Sequence, residues 1–94
     1  MPTTRTTQTI EVWASSSTTT IEAPAAFTPG GLAVRTVTIM EPRDKILVGG
    51  SGEAGTEIRE IHVVTDGAPQ PPGGTYAGIV WCPTLGAARH VWVL

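Results

Sequence analysis

Apolar and polar residues alternate through most of the chain, with breaks at Gly, Pro and Ser clusters, and this period of two predicts short β-strands. In residues 7–14, Ile10 and Val12 share one face of the first predicted strand while Glu11 and Trp13 share the other. A polar Ser15, Ser16, Ser17 turn leads to residues 18–23, a hairpin partner that Pro24 ends. Residues 25–31 read as a loop that carries Phe27 and a Pro29-Gly30 turn signal. The clearest strand is 32–40, where Leu32, Val34, Thr36, Thr38 and Met40 oppose Ala33, Arg35, Val37 and Ile39.

Residues 41–44 have turn chemistry, because Pro42 presets the backbone dihedral and Asp44 can bond its own backbone. A short strand follows at 45–48. The four glycines of 49–55, with no large apolar side chain among them, predict a flexible loop. Residues 57–65 alternate again, Ile58, Glu60, His62 and Val64 against Arg59, Ile61 and Val63, until Asp66-Gly67 ends the run. Three prolines within 68–74 make a stiff extended connection. Residues 75–82 and 89–94 are two apolar strands joined through 83–88, a terminal hairpin.

Seven short strands at spacings of about ten residues predict an all-β fold, a small antiparallel β-sandwich or barrel. A chain of 94 residues has room for one hydrophobic core, so 9–94 is expected as a single β domain preceded by an extended N-terminal arm, 1–8.

Composition changes this picture at the surface. Charged residues make up 15% of the chain, against about 25% in ordinary soluble domains. A surface of Thr, Ser, Ala, Gly and Pro is weakly defended against association, which suits a protein largely covered by partners. The net charge of -2, the single lysine Lys45 and the scattered arginines argue against nucleic-acid binding, which draws its affinity from neutralised phosphates. No signal-peptide core precedes residue 9 and no apolar run reaches membrane length, so the chain is expected to stay in a cytoplasm, off the membrane. Cys82, the only cysteine, closes no intrachain disulfide and is expected as a buried structural thiol.

Candidate chemistry is sparse. A hydrolytic triad would draw on His62, His90, Asp44, Asp66 and the serines, yet both histidines read as sheet or surface residues and no Gly-x-Ser-x-Gly elbow occurs. The glycine-rich 49–55 segment lacks Gly-Lys-Ser/Thr, and Glu53 and Glu57 would repel phosphate. One cysteine and two separated histidines give no zinc spacing. No catalytic residue, cofactor or metal ligand is therefore assigned, and the chain is expected to be non-enzymatic. Trp13, Trp81 and Trp92 lie on predicted strands; one or two should anchor the core, and an outward one could stack on sugars or fill a pocket on a protein partner.

The Thr-rich stretch Thr3-Thr4-Arg5-Thr6-Thr7, the Gly/Pro-rich loops, the few charges and the compact β body together resemble small bacteriophage virion structural proteins of the capsid decoration, or cement, type. The resemblance is one of general makeup and carries no diagnostic motif. It implies a virion protein assembled in the bacterial host cytoplasm, which stabilises the shell by contacts with the major capsid protein and with copies of itself in a homo-oligomer such as a trimer. Thr3, Thr4, Arg5, Thr6, Thr7, Trp13 and Phe27 are the expected contact residues, the arm adding a strand to a neighbour's sheet edge. A head-tail connector, a tail protein and a carbohydrate- or peptide-binding sandwich are the alternatives.

Overall fold

The structure, a computed structural model, describes residues 4–15, 17–38 and 40–94. Every regular element among them is a strand: β1 (Arg5–Trp13), β2 (Ser17–Thr38), β3 (Pro42–Thr65), β4 (Thr75–Cys82) and β5 (Ala87–Val93). All pairings are antiparallel, in one five-stranded sheet with the path β1-β3-β5-β4 and β2 paired to β3. No helix among the described residues is long and apolar enough to cross a membrane.

In place of the seven expected segments there are five strands, because two stretches read as loops are themselves paired; 7–14, 32–40 and 89–94 also reach past the ends of β1, β2 and β5. Residues of 24–31 lie across from 49–56 in the β2 and β3 ladder, with register shifts at Pro24/Ala25, Ala25/Thr28 and Pro29/Gly31. Such bulges bend and twist the strands that carry them. The bend is required by size: Ile46 and Ile61, fifteen residues apart on β3, would stand about 50 Å apart in a straight strand, yet both are fully buried in one core cluster. The longest dimension of the whole domain is 48 Å. β3 therefore folds back on itself, pairing with β1 through its first half and with β5 through Ile61 to Thr65.

Glycine makes this corner possible. A Cβ placed on Gly50 would run into the Thr28 carbonyl oxygen and come within 2.7 Å of the Phe27 ring, and one on Gly52 would lie 2.8 Å from the Ala25 carbonyl oxygen. The segment expected to be flexible is thus a tight backbone contact. Phe27, expected at the surface for partner contact, is 3% exposed and fills the core at the corner. Just before it in the chain, Ala26 takes a positive φ of 54°, an unfavourable conformation for a residue with a Cβ.

Of the expected arm, 1–8, the residues from Arg5 to Gln8 are part of the sheet. They continue β1 and pair with Glu53 to Gly50, and the Arg5 guanidinium donates to Ser51 Oγ at 3.0 Å. Only Thr4, exposed, precedes the strand among the described residues, and Thr3 lies outside them.

The core draws on all five strands and on Ala14 just past the end of β1: Ile10, Val12, Ala14, Ala23, Phe27, Ile46, Val48, Ile61, Val63, Cys82, Val91 and Val93. None of the three tryptophans belongs to it. The β4 and β5 hairpin closes over this cluster, with Ala77 and Val80 packed against it from β4 and Leu32 beside Gly78. Three polar anchors hold the closure. Asp44, 3% exposed, accepts from the Thr36 hydroxyl at 2.8 Å and from the Thr84 and Leu85 amides of the β4 to β5 turn at 2.8 and 3.3 Å. Arg89 Nε of β5 donates to the Ala14 carbonyl oxygen at 3.0 Å, and Arg59 Nε donates to the Leu94 carbonyl oxygen at 2.6 Å. Leu94 and Glu60 also exchange both backbone hydrogen bonds.

Burial alone would raise the Asp44 pKa, but the hydrogen bonds from Thr36, Thr84 and Leu85 outweigh it, and the net position is below the ordinary carboxylate value. The folded-state pKa thus lies under the unfolded one. Its contribution is complete above about pH 4 and disappears as pH falls through the folded-state value. Burial, and then the negative charge of Asp44, push the Cys82 thiol up despite Arg89, so it stays protonated and unreactive.

Gly50→Val should cost about 3 kcal/mol or more through overpacking, whereas Ala26→Gly should raise stability by up to about 1 kcal/mol; urea unfolding midpoints read both. Asp44→Asn should lower stability by about 2 kcal/mol at pH 7, with the gap to the parent chain narrowing below about pH 4. A gap that stays constant into acid would show that the carboxylate's charge is not what holds the turn.

Candidate functional site

The register of the β4 and β5 hairpin gathers aromatic and polar side chains on the sheet face turned away from the core. Tyr76 pairs with Trp92, and His90, two residues earlier and so on the same face, pairs with Val64 of β3. The Tyr76 and Trp92 ring centroids are 4.8 Å apart at 48°, and Tyr76 and His90 are 5.7 Å apart at 36°. Asp66 follows the end of β3, where Gly67 turns the chain at a φ of 88° and the Ala68 amide bonds the Thr65 carbonyl oxygen at 2.9 Å. This turn carries the carboxylate back over β5.

A linear array results. The Tyr76 hydroxyl is 2.7 Å from His90 Nδ1, and His90 Nε2 is 2.7 Å from Asp66 Oδ1. A carboxylate can only accept, so in the neutral ring Nε2 carries the proton and Nδ1 accepts from the phenol. Hydroxyl, imidazole and carboxylate follow the order of an acyl-transfer triad, with a phenol at the nucleophile's place. The array holds both rings in fixed orientations. Beside it opens a cleft of about 290 Å³, with Gly67, Ala68 and Gln70 on the loop side and Tyr76, His90 and Trp92 on the sheet side.

The same outward face continues along β4, where Ile79, paired with His90, and Trp81 are 55% and 60% exposed, followed by Leu85 in the turn. At the far end of β1, Trp13 is 40% exposed under the Lys45 ammonium, 4.6 Å from the ring centroid. With Val37, Met40, Glu41 and Arg43 it lines a groove of about 330 Å³. Across this face Glu11 takes Arg35 at 2.8 Å and Lys45 at 3.5 Å, exposed pairs that contribute little to stability.

The expected contact residues are not brought together. Thr4, Arg5, Thr6 and Thr7 are exposed at one end of β1, Trp13 sits at the other, about 20 Å or more along the strand, and Phe27 is inside. The expectation that one or two tryptophans anchor the core is also revised, since Trp13 and Trp81 are exposed and Trp92 is partly so. Sequence reasoning treated Asp66 as a turn residue and His90 as an isolated one. The signal that could have joined them is His90 and Trp92 at a spacing of two in a hairpin with Tyr76. Among the described residues, no group of three or more His, Cys, Asp or Glu side chains could hold a metal ion.

The array makes a specific spectroscopic prediction. Long-range ¹H–¹⁵N correlation on the neutral ring should show His90 protonated at Nε2, and Asp66→Ala should redistribute the tautomers. An Nδ1-protonated ring in the parent chain would rule the array out.

No family model, curated protein or solved structure matches the chain.

Proposed function

We propose that this chain is a non-enzymatic assembly protein, a capsid decoration protein of a bacteriophage virion that meets the major capsid protein and its own copies through sheet edges and the outward face of β4. The observation that supports this reading most is β4 itself. It is hydrogen-bonded to β5 on one side only, and its sequence, Thr75 to Cys82, contains no charged residue and no proline. Edge strands of proteins that remain alone are usually guarded by charges, proline or brevity, because an open row of backbone donors and acceptors invites another strand. Here Ile79 and Trp81 add exposed apolar area beside that edge, and tryptophan is the residue most often found carrying binding energy at protein interfaces.

β1 offers a second edge, at the other end of the sheet path. Its hydrogen bonds to β3 engage one side of Arg5 to Trp13, so the Thr-rich stretch would take a neighbour's strand along its remaining side. The low charge of the chain fits a surface meant to be covered.

The test is association. Sedimentation velocity of the purified chain, alone and with shells assembled from a bacteriophage major capsid protein, should show a homo-oligomer or shell-bound material. Ile79→Lys and Trp81→Lys, both at exposed positions, should abolish association while leaving the unfolding midpoint within about 0.5 kcal/mol of the parent. A chain that stays monomeric and ignores the shells refutes the proposal.

A further inference from the structure

The cleft beside Tyr76 and Trp92 plays no part in the assembly reading, and its chemistry points to a ligand of another kind. We infer that it binds a neutral saccharide, one or two sugar rings stacked on Tyr76 and Trp92 and hydrogen-bonded by Asp66 and Gln70.

The walls supply the first argument. Two tilted aromatic rings 4.8 Å apart form an apolar surface with electron-rich faces, suited to the C–H faces of a sugar ring. The size, about 290 Å³, lies at the small end of ligand pockets and matches one or two rings. The polar groups supply the second. Gln70 lines the loop side with an exposed amide, and Asp66, outside the lining itself but bonded through Oδ1 to His90 at its edge, keeps a solvent-exposed second oxygen that a ligand hydroxyl could reach in place of water. A carboxylate needs donors and an amide takes both donors and acceptors, and vicinal hydroxyls meet both demands.

Other ligands fit less well. No lysine or arginine lines the cleft, so nothing offsets the Asp66 charge for a phosphate or an acidic sugar. A proline-rich peptide would suit the aromatic walls, but it offers carbonyl acceptors and few N–H donors, and so leaves Asp66 Oδ2 unmatched. Preorganisation completes the argument. The Tyr76, His90 and Asp66 hydrogen bonds fix the wall, and Pro69, Pro71 and Pro72 stiffen the loop that carries Gln70, so little ordering remains to oppose binding.

The experiment uses the full chain with Trp13→Phe and Trp81→Phe, which leaves Trp92 as the only tryptophan. Fluorescence and ¹H–¹⁵N spectra are followed while neutral sugars are added: glucose, galactose, mannose, N-acetylglucosamine and their disaccharides. A saturable response with half-saturation near about 1 mM or tighter is expected for at least one sugar. Asp66→Ala and Gln70→Ala should each weaken it about tenfold, and Asp66→Asn, which still accepts from His90, separates loss of the ligand contact from loss of the array. The inference is overturned by no saturable response to any of these sugars, by a response that both alanine variants leave unchanged, or by saturation with a proline-rich peptide where sugars give none. Since Ile79→Lys and Trp81→Lys lie outside the cleft, a chain that binds sugar yet never associates defeats the assembly reading alone.

Discussion

The packing of the 24–31 segment of β2 against residues 49–56 of β3 is the contact on which the rest of the domain depends. It bends a strand of 24 residues that would otherwise be far longer than the molecule, and so brings Ile46 and Val48 into the same cluster as Ile61 and Val63. Each half of β3 then serves a different neighbour, β1 for the first and β5 for the second. The corner tolerates the approach only because Gly50 and Gly52 present bare backbone to Phe27, Thr28, Pro24 and Ala25. Hydrophobic burial provides the drive, and the missing side chains decide where the fold can occur.

Once β3 has folded back, the hairpin of β4 and β5 must be held over the exposed core, and polar groups set its position. Asp44 is the main one, a buried carboxylate whose three partners come from β2 and from the hairpin turn. A buried charge with unfilled hydrogen-bond sites would be destabilising, so its full satisfaction makes one placement of the turn much better than its neighbours. Arg89 and Arg59 do the same at Ala14 and at Leu94. The scattered arginines of the sequence thus include two that serve the backbone. On the far side of the same hairpin, placement by these anchors aligns Tyr76, His90 and Trp92 with Asp66.

Strand class and approximate location were legible because period-two alternation reports directly which residues face inward. Ile10 with Val12, Ile61 with Val63 and Val91 with Val93 all show it, and all are buried. The merger of seven segments into five was hidden, because Pro24, Pro29 and the glycines around position 50 signal breaks by local preference, while pairing across the bulges is a property of two distant segments together. Phe27 was misplaced for the same reason, an apolar residue in a run that reads as loop. The cleft was hidden more deeply. Its residues come from the end of β3, a proline-rich connection and two strands of a hairpin, and only the register unites them.

The long pairing of β2 with β3 also bears on how quickly the domain can form. These strands are separated by only three residues at the 39–41 connection, so their hairpin can grow outward from neighbours in sequence, yet it must pass three register shifts before reaching the Ser17 and Val63 end. β1 and β5 then dock on β3 across wide sequence separations, Arg5 against Glu53 and Val63 against Val91 among them. A topology of this kind has high contact order, and the entropy of closing its loops falls due before the core repays it. The folding barrier is therefore expected to lie at the turning of the corner, with unpaired β4 and β1 edges exposed for as long as that step lasts.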